Sequence, residues 1–283
     1  MIRWATAAMT PQLIDLWGES FGDPPELVRM FLRRPDVRCM VQAEGGTVQA
    51  AAYLIPARLH AFGQRVPVWY EYALATRPAL RGQGRMAGLL ESVRRAAAAN
   101  GLPYTVLVPE NAGLARYYER LGYVPFFTVR EVTCPRDQLA AAARTAAPLH
   151  FRAHADRSVG ALRKRCLRGS DSLEWSGRAA AFALRFARRC GDRVIRVPGG
   201  YAVVRSDEAR ARITEWMCLP SAEAALCSAL WAQTTAAEYV FRLPEHAPLF
   251  AGSGAVRPFG WLRATGHAPI PPATGAYLGL EMD

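Results

Sequence analysis

A chain of 283 residues, half of them hydrophobic and with a mean hydropathy of -0.01, has the length for two compact domains and the composition of a soluble globular protein rather than a disordered or fibrous one. Its formal charge of +11 comes almost wholly from arginine, with Lys164 the sole lysine, and it is scattered rather than gathered in a basic run, so no nucleic-acid partner is expected. The start Met1-Ile2-Arg3-Trp4 lacks a basic-then-apolar leader and no apolar run reaches the ~18 residues of a membrane span, which gives the expectation of a cytoplasmic chain with no membrane association.

Met1 to Ala5 reads as a short strand. Thr10-Pro11 then caps a helix through about Glu19, with Leu13, Ile14, Leu16 and Trp17 as its apolar stripe. Asp23-Pro24-Pro25 starts a second helix over Leu27, Val28, Met30, Phe31 and Leu32 that stops at Pro35. Two antiparallel strands, Arg38 to Glu44 and Thr47 to Arg58, flank Gly45-Gly46 as a hairpin, and a third strand runs from Val66 to Thr76.

The stretch that follows has the chemistry of a phosphate cradle. Gly82 and Gly84 remove Cβ atoms where backbone N–H groups must converge on an anion, and a helix predicted from Met86 to Asn100 turns its positive end to the same place. Arg81 and Arg85 add charge-assisted donors beside it. Tyr104 to Pro109 is then a short apolar strand, Asn111 to Leu121 a helix ending at Gly122, and Tyr123 to Thr133 a further strand.

This order, with Arg81-Gly82-Gln83-Gly84-Arg85-Met86 as an R-x-x-G-x-[GA] type loop and Asn111 to Leu114 with Tyr118-Glu119-Arg120-Leu121-Gly122-Tyr123 as a second motif, resembles the GNAT superfamily of N-acetyltransferases. The resemblance covers roughly Ile2 to Thr133. Met86 departs from it, standing where the family prefers a small residue, with a narrower approach for the diphosphate as the implied consequence.

Pro135 to Pro148 passes from hydrophilic to alanine-rich and reads as a linker at 135–147, dividing the chain into domains 1–134 and 148–283. The second half begins with a strand from Leu149 to Ala153, helices over Asp156 to Leu167 and Trp175 to Cys190, and strands at Arg193 to Val197, Tyr201 to Ser206 and Arg210 to Leu219. It repeats the order of the first half but lacks the glycine pair: Pro220-Ser221-Ala222-Glu223 leads straight into a helix to about Thr235. Strands at Tyr239 to Leu243, Pro258 to Ala264 and Ala276 to Met282 close it. The expected fold is therefore α/β (α+β): a mixed, mostly antiparallel sheet flanked by helices, followed by a degenerate GNAT-like domain, as in bacterial tandem acetyltransferases.

What the resemblance implies is direct transfer of an acetyl group from acetyl-CoA to a primary amine of a small molecule or peptide. The backbone of Leu74, Ala75 and Thr76 would pair with the pantetheine arm, and Arg81, Gly82, Gln83, Gly84, Arg85, Met86 and Asn111 would complete the coenzyme A site. Tyr118 matches the family's tyrosine near the leaving thiolate, and its neighbour Tyr117 points about 100° away on a helix. Glu71 is the leading base; a water chain and the carboxylate of Asp283 are the alternatives. On a regular strand Tyr72 faces opposite to Glu71, and a bulge would change which of them meets the amine.

Trp69, Tyr70, Phe126 and Phe127, with Trp17, Phe21 and Phe31, are candidate walls of an acceptor pocket with an apolar portion. The six cysteines form no C-x-x-C pair and read as free thiols; the histidines show no ligand spacing beyond His150 and His154 four apart, so no metal is expected. A non-catalytic acyl-CoA sensor or scaffold is the alternative function, and assembly as a homodimer is left open.

Overall fold

The computed structural model describes residues 1–61, 63–143, 159–270, 272, 275–280 and 282. They form two compact units that exchange chain segments. The first comprises Met1–Leu59, Gly63–Pro125 and Gly260–Pro272, the second His60–Phe62, Phe126–Phe259 and Ala273–Asp283.

In the first unit, β1 (Ile2–Trp4), β2 (Arg38–Glu44), β3 (Thr47–Ala61, to residue 59), β4 (Gln64–Thr76), β5 (Tyr104–Leu107) and the part of β12 (Ala255–Ala264) from residue 260 lie in that spatial order. β1, β2 and β3 pair antiparallel, β4 and β5 parallel, and β12 antiparallel to β5. Gly45 and Gly46, at φ 56° and 80°, turn the β2–β3 hairpin with both central residues left-handed, the geometry that matches strand twist.

Helix α1 (Thr10–Phe21) buries the expected stripe of Leu13, Ile14, Leu16 and Trp17, and α2 (Pro25–Leu32) buries Leu27, Val28 and Phe31. On the other face, α3 (Arg85–Ala99) presses Leu89, Val93 and Ala97 onto Met40, Ala52, Leu54 and Trp69 of the sheet. It ends in a Schellman motif, with Gly101 left-handed and Leu102 N–H donating to Ala97 O at 3.0 Å. Helix α4 (Ala112–Arg120) follows β5.

In the second unit the strand order is β6 (Val124–Pro135), β11 (Glu238–Leu243), β10 (Arg210–Cys218), β9 (Gly200–Ser206) and β8 (Arg193–Val197). Here too one neighbouring pair, β10 with β11, is parallel among antiparallel ones. Helices α5 (Arg136–Ala143), α6 (Val159–Cys166), α7 (Gly177–Arg189) and α8 (Glu223–Gln233) and the short strand β7 (Ser172–Glu174) complete the set.

Three expectations change. Residues 136–143 of the expected linker form α5, because alanines favour helix and Leu139 gives it a fully buried anchor in the second unit's core; the rest of 135–147 from residue 144, the strand at 149–153, His150 and His154 lie outside the described residues. The segment at 276–282 is not a strand but makes isolated bridges at Ala276 and Tyr277, since Gly275, Gly279, Leu280 and Met282 all take positive φ. The units also do not follow a single cut near 147: β6 from Phe126 belongs to the second, and residues 260–272 return to the first. All six cysteines are free thiols. Among the described residues no helix is long and apolar enough to cross a membrane.

Candidate active site

The glycine loop leads into α3 as an open cradle. Gly82 and Gly84 have φ 78° and 73°, conformations that a side chain disfavours, and a Cβ on either would meet nothing within 4 Å. Gly84 is the N-cap of α3, and no side chain caps the N–H groups of the first turn. Arg81 folds back to donate to Thr76 O at 3.2 Å, Gln83 donates to Ala79 O at 3.4 Å, and Arg85 pairs with the exposed Glu44 at 2.9 Å. Both arginines add positive charge next to the glycine loop. The Met86 side chain packs, with Leu74, against the hydrophobic clusters on either side.

Upstream of the loop, β4 breaks its own regularity. Its register with β5 runs Val68↔Tyr104, Trp69↔Thr105, Tyr70↔Val106 and stops there, although β4 continues to Thr76. Ala73 takes φ 46°, a left-handed kink inside a strand. The kink reverses the alternation: Trp69 packs toward α3, Tyr72 stands against Trp17 and Phe31, and Leu74, which a regular strand would put beside Tyr72, returns to the α3 side. Past Tyr70 the edge of β4 that faces β5 is thus left with unregistered backbone groups. Because the kink comes after both residues, Glu71 and Tyr72 keep opposite faces.

Helix α4 carries the aromatic part of the site. Asn111 Oδ1 accepts from Leu114 N at 3.0 Å and caps the helix. At the far end Gly122 is left-handed, Gly122 N–H donates to Glu119 O at 2.9 Å and Tyr123 N–H to Tyr118 O at 3.1 Å, a second Schellman motif. The spacing of the second sequence motif is the spacing of this cap: Tyr118 and Tyr123 are the two residues whose side chains such a turn brings together, and their rings meet edge to face at 5.7 Å. Tyr118 is buried with Leu74, Met86, Leu90 and Leu107 around it. Burial, and then the charge of Glu71, push its pKa well above the ordinary phenol value.

Tyr123 in turn reaches Glu71. Its hydroxyl donates to Glu71 Oε2 at 2.5 Å, and only 3% of Glu71 is exposed. Desolvation raises the Glu71 pKa to about 7, against the opposing pull of Tyr123, Thr105 and the charge of Arg263. A carboxyl with that pKa exchanges its proton near neutrality, as a general base must.

Residues 1–126 match the family model described as an acetyltransferase (GNAT) domain. This part of the chain is similar to GNAT acetyltransferase domains. No curated protein sequence matches the chain. Among solved structures, Eis1 from Mycobacterium abscessus superposes with a TM-score of 0.68 at 17% identity over 94% of this chain and 74% of that one. A conserved protein of unknown function from Enterococcus faecalis gives 0.70 at 15% over 94% and 72%. A tandem GNAT protein from the clavulanic acid biosynthesis pathway gives 0.57 at 15% over 95% and 99%. At these identities the likeness is one of fold, and the fold is that of the tandem GNAT proteins.

Within the first unit the structure brings together Leu74, Met86 and Tyr118, with Glu71 joined to Tyr118 through Tyr123. Asp283 lies outside the described residues. Four of the aromatics expected at an acceptor pocket are core instead: Trp69, Tyr70, Phe126 and Phe127 are all buried, and the two phenylalanines belong to the second unit. Trp17 and Phe31 are buried as well, while Phe21 stays 46% exposed. Sequence reasoning missed Thr105, Arg263 and the hydroxyl of Tyr123. For Tyr123 the motif itself held the signal; Arg263 had none.

Proposed function

We propose that the chain is an N-acetyltransferase that moves the acetyl group of acetyl-CoA directly to a primary amine of a small molecule or peptide. The observation that carries this reading is the parting of β4 from β5 beyond Tyr70, with the kink at Ala73, in a strand that runs on into an open glycine cradle at the head of α3. An acyl-CoA has the matching chemistry: an amide-bearing arm that can pair with a free strand edge, and a diphosphate for a helix N-terminus.

In this reading the backbone of Leu74, Ala75 and Thr76 pairs with the pantetheine arm. Gly82, Gln83 and Gly84, the first turn of α3 and the guanidinium groups of Arg81 and Arg85 hold the diphosphate, with Met86 as the apolar floor and Asn111 fixing α4. The amine nitrogen attacks the thioester carbon, the C–S bond breaks, and the sulfur keeps the electron pair. Tyr118 holds its proton too tightly to be a strong acid, so it stabilises the leaving thiolate by hydrogen-bond donation. Glu71 takes the proton from nitrogen. Free thiols and an acetyl-CoA supply fit a bacterial cytoplasm, and neither a metal nor a nucleic acid enters the scheme.

Calorimetric titration with acetyl-CoA, followed by thiol release over a panel of amines, tests the reading. Saturable binding with amine-dependent release of coenzyme A is expected, and absence of binding would overturn it. The deep burial of Glu71 is the observation that favours the alternative, a non-catalytic acyl-CoA sensor; binding without turnover of any amine would decide for it.

A further inference from the structure

Glu71 stands in a setting that none of the sequence motifs describes. Thr105 of β5 lies across from Trp69 of β4 on one side and from Arg263 of β12 on the other, so the three side chains share a row, with Glu71 two residues along from Trp69. The guanidinium of Arg263 sits 5.4 Å from the centroid of the Tyr123 ring and donates to Glu91 Oε2 at 2.9 Å. Gly122 leaves it room: a Cβ there would stand 3.7 Å from Arg263 Nε.

Tyr123 occupies one oxygen of Glu71. The other, Oε1, is buried with no partner in full hydrogen-bond geometry, and so is Thr105 Oγ1; the Thr105 hydroxyl favours the ionised carboxylate without closing a regular hydrogen bond to it. A buried carboxylate oxygen left open beside a second open oxygen is suited to receive a proton, from an ammonium directly or through one water molecule.

We propose that Tyr123, Thr105 and Arg263 are positioning residues for Glu71: Tyr123 turns the carboxylate so that Oε1 is the oxygen that receives the proton, Thr105 lines the place where the proton arrives, and Arg263 supplies the positive charge that keeps the carboxylate ionised. The proposal rests on the acetyltransferase reading. It makes β12, more than 100 residues further along the chain than β6, a part of the first unit's chemistry as well as of its sheet. The groups facing Glu71 are Tyr123 and Tyr118 from α4 and its cap, Thr105 from β5 and Arg263 from β12, the last held by Glu91 of α3. Tyr123, Thr105 and Arg263 each favour the ionised carboxylate, so losing any one of them raises its pKa.

The test uses the full chain. Infrared difference spectra between the native protein and Glu71→Gln, recorded across pH, isolate the Glu71 carboxyl without any substrate. Its midpoint is expected near 7, and higher in Arg263→Gln, Tyr123→Phe and Thr105→Val, with Arg263→Lys restoring most of the native value. In the acyl-transfer assay Arg263→Gln should lose about tenfold in kcat at pH 7 and recover at pH 9, with KM for acetyl-CoA within about twofold. An unmoved midpoint in all three variants, or a loss of kcat equal at both pH values, overturns the proposal. If Arg263→Gln does not fold, Arg263→Lys and Tyr123→Phe decide it. Should no amine be turned over, the acetyltransferase reading fails while the infrared midpoints still settle the positioning.

Discussion

Replacing Glu71 by glutamine should make the protein more stable at pH 8 than at pH 5, relative to the native chain. Glu71 is 3% exposed, and burial lifts its pKa from an ordinary 4.5 to about 7. The sign follows from linkage. Between those two values the unfolded chain has released its proton and the folded one has not, so the native protein's stability is fully present below 4.5 and is lost as pH rises through 7. At about 1.4 kcal/mol per pH decade the loss is on the order of 3 kcal/mol. Glutamine resembles the protonated carboxyl in shape and does not titrate. Urea unfolding of both proteins at intervals from pH 4 to pH 9 therefore gives a difference that declines by roughly that amount between about pH 4.5 and 7 and is flat on either side. A difference that stays constant would show that Glu71 is an ordinary solvated carboxylate in the folded state, and one that grows with pH would put its folded pKa below the ordinary value; either would remove its role as a base poised near neutrality.

Tyr118→Phe should lower kcat by roughly 10²-fold while the calorimetric affinity for acetyl-CoA stays within about twofold, since the ring that packs against Leu74 and Met86 is kept and only the hydroxyl is lost. A Cβ on Gly84 would meet no neighbour within 4 Å, so the left-handed backbone, about 1–2 kcal/mol, is the main expected cost of Gly84→Val to folding, whereas its isopropyl group would stand in the cradle and should weaken acetyl-CoA binding at least tenfold. Arg130 donates to the carbonyl oxygens of Glu245, Ala247, Leu249, Phe250 and Ser253 within the second unit; Arg130→Met strands those acceptors and should cost on the order of 3 kcal/mol in urea unfolding and open the 244–254 loop to proteolysis.

Much of the first unit was legible because its signals are local. Thr10-Pro11, Pro24-Pro25 and Gly45-Gly46 start or turn elements through the dihedral limits of proline and glycine, and the structure begins α1, α2 and the β2–β3 hairpin at those places. The cradle was legible for the same reason. The kink at Ala73 was not, since alanine has no sequence-level preference for φ 46°; the family resemblance raised a bulge in general, and the strand's own residues gave it no location. Arg263 was out of reach for a different cause. Its partner Glu91 is 172 residues away, and one arginine among many carries no mark of the strand it will pair with. Likewise Leu280 and Met282, two apolar residues in an apolar run, read as strand and turn out left-handed.

The two units put a glutamate at comparable points and give it opposite surroundings. In the second unit β10 pairs parallel with β11 only as far as Ile213↔Phe241, then continues to Cys218 without β11, still paired with β9 across a register shift, much as β4 leaves β5 past Tyr70. Glu215 lies just beyond that point, and it is closed in: Arg163 Nε reaches Oε1 at 3.1 Å, Tyr201 donates to the same oxygen at 3.0 Å, and Tyr277 donates to Oε2 at 2.7 Å. Arg163 also donates to Leu278 O and Trp175 to Gly279 O, which ties residues 277–279 over the carboxylate, and Gly279 has no space for a side chain because its Cβ would fall 2.1 Å from Oε2. Glu215 therefore has both oxygens and its charge satisfied and has nothing left to offer a substrate. Glu71 has one oxygen held, one open and a cation acting only at a distance. With the parted parallel strands common to both, what separates the two carboxylates is how completely their neighbours use them up, together with the glycine pair that α8, opened by Pro220-Ser221-Ala222, does not have.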